Sequence, residues 1–83
     1  MYVIIYEKLA KRQLKKLPKQ IAQRIEERIG ELADEPRPNG CLKLTGQESY
    51  RIRVGDYRII YEIEDDILTV LVVKIGHRRD VYE

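Results

Sequence analysis

The sequence predicts an α+β domain: a mostly antiparallel sheet with a helical hairpin packed on one face, in the order β-α-α-β-β-β. Three observations carry this. Residues 50–63 alternate in polarity on either side of Gly55-Asp56, the pattern of a β-hairpin. Residues 7–33 carry two apolar stripes of helical spacing, interrupted at Pro18. Residues 67–75 are nearly all apolar, which predicts a central strand covered on both faces. A chain of 83 residues has room for one small core, so residues 1–83 are expected to form a single domain.

Taken in order, Tyr2-Val3-Ile4-Ile5-Tyr6 is β-branched and aromatic and predicts a strand. Ala10, Leu14 and Leu17 then recur at helical spacing within residues 7–17. Pro18 suits the opening of a second helix better than the middle of one long helix. Ile21, Ile25, Ile29 and Leu32 form the stripe of that second helix, which is expected to run to about Ala33. Residues 34–47 carry turn chemistry, in Pro36, Pro38 and Asn39-Gly40, with Cys41, Leu42 and Leu44 expected to tuck beneath the loop. Strands are predicted at 49–54, 57–63 and 67–75, the last two joined by the Glu64-Asp65-Asp66 corner.

Composition narrows the function. The lone Cys41 excludes an intrachain disulfide and fits a reducing compartment. One Cys and one His do not supply a usual zinc set, and no metal or other cofactor is expected. No signal pattern is present and no apolar run is long enough to span a bilayer, so a cytoplasmic location without membrane contact is expected. The net charge is only +2, but it is polarised. Lys8, Lys11, Arg12, Lys15, Lys16 and Lys19 fall in one stretch with no acidic residue, while acids gather at 26–35 and 62–66. Such a distribution suits one face turned toward a polyanion; the alternative is a solvated helix face.

The hairpin carries the chemistry. In a two-residue loop Val54 opposes Tyr57 and Arg53 opposes Arg58. Facing like charges are destabilising, so the two arginines either splay into water or hold an anion between them. Tyr50, Ile52 and Val54 face the core, which leaves Arg51, Arg53 and Arg58 on the open face. Gly76 lets the chain turn after the last strand, and His77, Arg78 and Tyr82 are expected to return to that face. Guanidinium forks bind phosphate and stabilise charge growing on it, histidine exchanges protons near neutral pH, and tyrosine stacks on bases. This set suits RNA cleavage by the adjacent 2′-hydroxyl, giving a 2′,3′-cyclic phosphate and a 5′-hydroxyl without a metal.

The stretches Tyr50-Arg51-Ile52-Arg53-Val54-Gly55-Asp56-Tyr57-Arg58-Ile59-Ile60-Tyr61 and Ile75-Gly76-His77-Arg78-Arg79-Asp80-Val81-Tyr82 are joined by the weaker Leu17-Pro18-Lys19 and Leu42-Lys43-Leu44. In this order and spacing the chain resembles the RelE-type toxins of bacterial and archaeal toxin–antitoxin modules, within the RelE/ParE superfamily. The resemblance runs over nearly the whole chain and implies a RelE-like fold. It also implies a type II toxin that enters the ribosomal A site and cuts the mRNA codon there, restrained by a cognate RelB-like antitoxin. It carries family site positions onto Arg51, Arg53, Arg58, Arg78 and Tyr82. It gives the basic first helix a role on ribosomal RNA phosphates, with affinity that falls steeply with salt.

Two departures bear on the mechanism. Well-studied relatives have lysines where this chain has Arg51 and Arg53, and a guanidinium effectively cannot give up a proton. If the strand lysines supply the base in those relatives, the candidates for that role in this chain are His77 and Tyr82. The sequence also ends one residue after Tyr82, so the C-terminal helix of some relatives is not expected here. Two other functions fit the fold class: a ParE-like inhibitor of DNA gyrase without nuclease activity, and a non-catalytic RNA-binding module.

Overall fold

In the computed structural model, which describes residues 1–44 and 48–79, the chain runs through five strands and two α-helices. They are β1 (Val3–Tyr6), α1 (Lys8–Lys15), α2 (Lys19–Glu31), β2 (Leu42–Lys43), β3 (Ser49–Val54), β4 (Tyr57–Glu64) and β5 (Thr69–His77). The sheet order is β1-β5-β4-β3-β2. All neighbours are antiparallel except β1 and β5, which run parallel. The predicted α+β architecture is therefore present, with one more strand than expected.

Both helices cover one face of the sheet. Ala10 of α1 and Ile25 and Ile29 of α2, with Leu32 just beyond, are fully buried against Ile52, Ile59, Tyr61, Val70, Val72 and Ile75. Each helix rests on the sheet, α1 over β1 and β5 and α2 over β3. The α1 stripe continues through half-buried Leu14 and Leu17, although the helix itself stops at Lys15. Pro18 sits at the N-cap of α2, where its missing N–H is no loss.

Three expectations need correction. Residues 42–43 form a short edge strand, β2, on β3, and Leu42 is exposed there rather than tucked under a loop. Residues 65–67 form a 3-10 turn, so β5 starts at Thr69, and Leu68 takes a left-handed conformation with φ of 48°. β5 lies between β1 and β4 as expected of an inner strand, but only one of its faces is covered. Its register against β4 also shifts between Ile60 and Tyr61. Val72 pairs with Tyr61 and Lys74 with Ile60, which leaves Val73 as the extra residue of a β-bulge.

The end of the sheet near the 3-10 turn is clamped by polar side chains. Arg37 forks onto Asp65 with contacts of 3.3 and 3.0 Å, and its Nε donates to the Tyr50 hydroxyl at 3.1 Å. The Tyr2 hydroxyl donates to the same Asp65 carboxylate at 2.7 Å. Tyr50 stacks on Tyr61, whose buried hydroxyl donates to the Pro36 carbonyl at 2.7 Å. The loop after α2 is thereby tied to β3, β4 and the 3-10 turn, and through Asp65 to Tyr2 just before β1.

A candidate phosphate-binding face

The β3–β4 hairpin closes with the expected two-residue loop. Val54 pairs with Tyr57 and Arg53 with Arg58. Gly55 has a φ of +58°, the left-handed value that a II′ hairpin turn needs at its first loop position. Because the side chains of paired residues share a face, three rows cross the open side of the sheet. The first is Arg53, Arg58 and Gly76; the second is Arg51, Ile60 and Lys74; the third is Ser49, Glu62 and Leu71.

Arg58 is the centre of this face. It is only 9% exposed, and its Nε is enclosed with no hydrogen-bond partner among the described residues. A buried donor without a partner costs about 1–3 kcal/mol. Its cross-strand neighbour on β5 is Gly76, so no side chain fills the position beside it. Arg53 is exposed and Arg51 half-buried. The arrangement is a nearly buried guanidinium beside a glycine, with Arg53 paired across the strand and Arg51 in the next row, a set of cations suited to a phosphate group.

The remaining candidates divide. Arg78 is exposed, and its backbone N–H donates to the Asp56 carbonyl at 2.8 Å, which fastens the chain after β5 to the hairpin tip beside Arg53 and Arg58. His77 does not return to the arginine face. It pairs with Tyr57, which shares the helix-covered side with Ile59, and the two rings meet edge to face at 5.6 Å. The reason is alternation: β5 extends through His77, so Gly76 takes the open side and His77 the other. Tyr82 lies outside the described residues.

Lys8, Lys11, Arg12 and Lys15 are exposed and line a shallow groove of about 270 Å³ on α1, and Lys16 and Lys19 are exposed beyond it. They belong to the helical layer, so the sheet separates them from the arginine face. Among the described residues no three His, Cys, Asp or Glu side chains gather as a metal site, and no helix is long and apolar enough to cross a membrane. Lys74 also lies on this face, and the sequence reading of 67–75 as a nearly all-apolar strand covered on both faces does not single it out.

Comparison with known proteins identifies the family. Residues 4–82 match the family model described as the ParE toxin of the type II toxin–antitoxin system parDE. The chain is 35% identical over 83 residues to toxin RelG of Mycobacterium tuberculosis, covering 98% of this chain and 95% of that one. It is 32% identical over 85 residues to toxin RelE3 of Methanocaldococcus jannaschii, covering 96% and 94%. The archaeal RelE–RelB complex from Pyrococcus horikoshii OT3 contains a chain that superposes with a TM-score of 0.84 at 30% identity, covering 96% of this chain and 98% of that one. With the family model spanning nearly its full length and RelE-type toxins among its relatives, the chain belongs to the RelE/ParE toxin superfamily of type II toxin–antitoxin systems.

Proposed function

We propose that this toxin is a ribosome-dependent mRNA endoribonuclease that cuts within the A-site codon and so halts translation in the cytoplasm. The observation that carries the reading is Arg58, a nearly buried guanidinium with an unpartnered Nε beside a side-chain-free position. A phosphodiester beside Gly76 would lie against this guanidinium. Arg51, Arg53 and Arg78 would surround its other oxygens. The 2′-oxygen attacks phosphorus, the 5′-oxygen departs, and the cations stabilise the extra negative charge of the phosphorane. The charge neutralisation that a metal ion supplies in other nucleases falls to the arginines. Tyr82 would stack on a base of the codon.

The α1 cations, on the other side of the sheet, suit contacts with ribosomal RNA phosphates while the arginine face holds mRNA. The ribosome would supply the orientation of the 2′-hydroxyl that this site, poor in acid–base groups, does not supply by itself. The Pyrococcus horikoshii relative was solved with RelB, and a RelB-like antitoxin is accordingly the expected partner of this chain.

The test is toeprinting on programmed ribosomes with purified protein, beside Arg58→Ala and Arg78→Ala. Cuts inside the A-site codon, lost in both variants, are expected. A second reading, inhibition of DNA gyrase, is favoured by one observation: the family model that matches is that of ParE toxins. Intact mRNA together with blocked DNA supercoiling would move the assignment there.

A further inference from the structure

We propose that Lys74 is a catalytic residue of the same site, the group that donates a proton to the departing 5′-oxygen; this rests on the nuclease reading above. The β-bulge is the starting point. Val70 and Val72 are fully buried on the helix side, and regular alternation would bury residue 74 with them. The extra residue, Val73, reverses the alternation, so Ile75 enters the core, 1% exposed, and Lys74 faces the arginines. Bulges are over-represented beside active sites, where they re-aim side chains.

The reversed stretch is held from outside the sheet. β1 pairs with β5 only from Thr69 to Val72. Beyond that point the Gln13 side chain of α1 takes over the strand edge, its Oε1 accepting the Ile75 N–H at 2.7 Å. Lys74 therefore sits on a fixed backbone. Its direct partner is Ile60, and Arg58 is its diagonal neighbour, about 7–8 Å away between backbones and within reach of long side chains. Arg51 lies one strand further along the same row, so Lys74 and Arg51 flank Ile60.

The chemistry needs such a group. Arg51, Arg53, Arg58 and Arg78 bind and stabilise phosphate, but a guanidinium effectively cannot release a proton. An ammonium can. In the step proposed, the 2′-hydroxyl loses its proton to water and the O2′–P bond forms. The P–O5′ bond breaks with its electron pair on O5′. That oxygen takes a proton from Lys74 Nζ, and the neutral amine is reprotonated by solvent.

The experiment compares single-turnover cleavage by wild type, Lys74→Arg and Lys74→Met on ribosomes programmed with two mRNAs. One is unmodified; the other carries sulfur in place of the bridging 5′-oxygen at the cut site, a leaving group that needs no proton. On unmodified mRNA both variants should be slower by about 100-fold or more. On the sulfur-bridged mRNA most of that deficit should vanish. Normal cleavage of unmodified mRNA by Lys74→Arg would overturn the proposal. A deficit equally deep on both mRNAs would also overturn it, leaving Lys74 only a charge. Wild type that cuts neither mRNA would instead remove the nuclease reading, and the proposal with it.

Discussion

Arg53 and Arg58 are direct cross-strand partners on the open face of the hairpin, two cations at facing positions. Such a pair opposes folding, and its persistence points to use. Arg53→Ala should therefore raise the stability of the free protein slightly, by about 0.2–1 kcal/mol, while weakening toxicity. Urea denaturation at low salt beside a growth assay checks both. Added salt should shrink the stability difference, because Arg53 is exposed and its repulsion is screened.

The enclosed guanidinium gives a direct readout of anion binding. Inorganic phosphate should raise the thermal midpoint of the wild type in proportion to its occupancy of the arginine face. Arg58→Met, which fills similar volume without a charge, should fold at least as stably and lose the phosphate response. A midpoint that rises equally in both would place the anion elsewhere.

Tyr61 tests the clamp at the other end of the sheet. Its ring is fully buried, its hydroxyl bonds the Pro36 carbonyl, and burial pushes its pKa well above the usual tyrosine value. Tyr61→Phe removes the donor and leaves a carbonyl in a buried residue without it, at a cost of about 1–3 kcal/mol. Chemical denaturation should register that loss, and the intact protein should show no phenolate absorbance from Tyr61 up to the pH at which it unfolds.

Asp65 sets the acid limit of the same clamp. The Arg37 guanidinium and then the Tyr2 hydroxyl hold its carboxyl below the ordinary value of 3.8. A depressed native pKa contributes stability that is complete above the unfolded value and is lost as pH falls through the folded one. Wild type should thus exceed Asp65→Asn at neutral pH, and the gap should close only below about pH 4. Midpoints measured from pH 7 down to pH 3 decide it. A gap independent of pH would mean that the carboxylate's charge contributes nothing.

The fold is legible in the sequence where local chemistry dominates. Gly55-Asp56 sets the hairpin register and with it the facing arginines. The Ile21, Ile25, Ile29 and Leu32 stripe marks the helix face that is buried. What stays hidden depends on partners distant in sequence. Leu42-Lys43 has no strand pattern of its own and pairs because β3 presents an edge. Ile67 reads as strand, yet it sits 67% exposed in the 3-10 turn, which Leu68 closes in a left-handed conformation. Placing His77 on the arginine face requires a strand that ends at Gly76, whereas β5 runs one residue further. Lys74 escapes a reading by periodicity because a one-residue insertion in alternation leaves no mark in composition, and Gln13, which steadies it, is far away in the chain.

The two-sided sheet has a genetic consequence that depends on whether a residue number is odd or even. In β3 the even positions 50 and 52 hold the fold and the odd positions 51 and 53 belong to the proposed anion site; in β4 the assignment is inverted, with 59, 61 and 63 on the helix-covered side and 58 on the other. β5 changes sense within itself, from 70 and 72 inside to 75 inside. A library scored separately for protein abundance and for growth arrest should therefore split by parity along each strand. The abundance-sensitive class should move from even to odd at Val73.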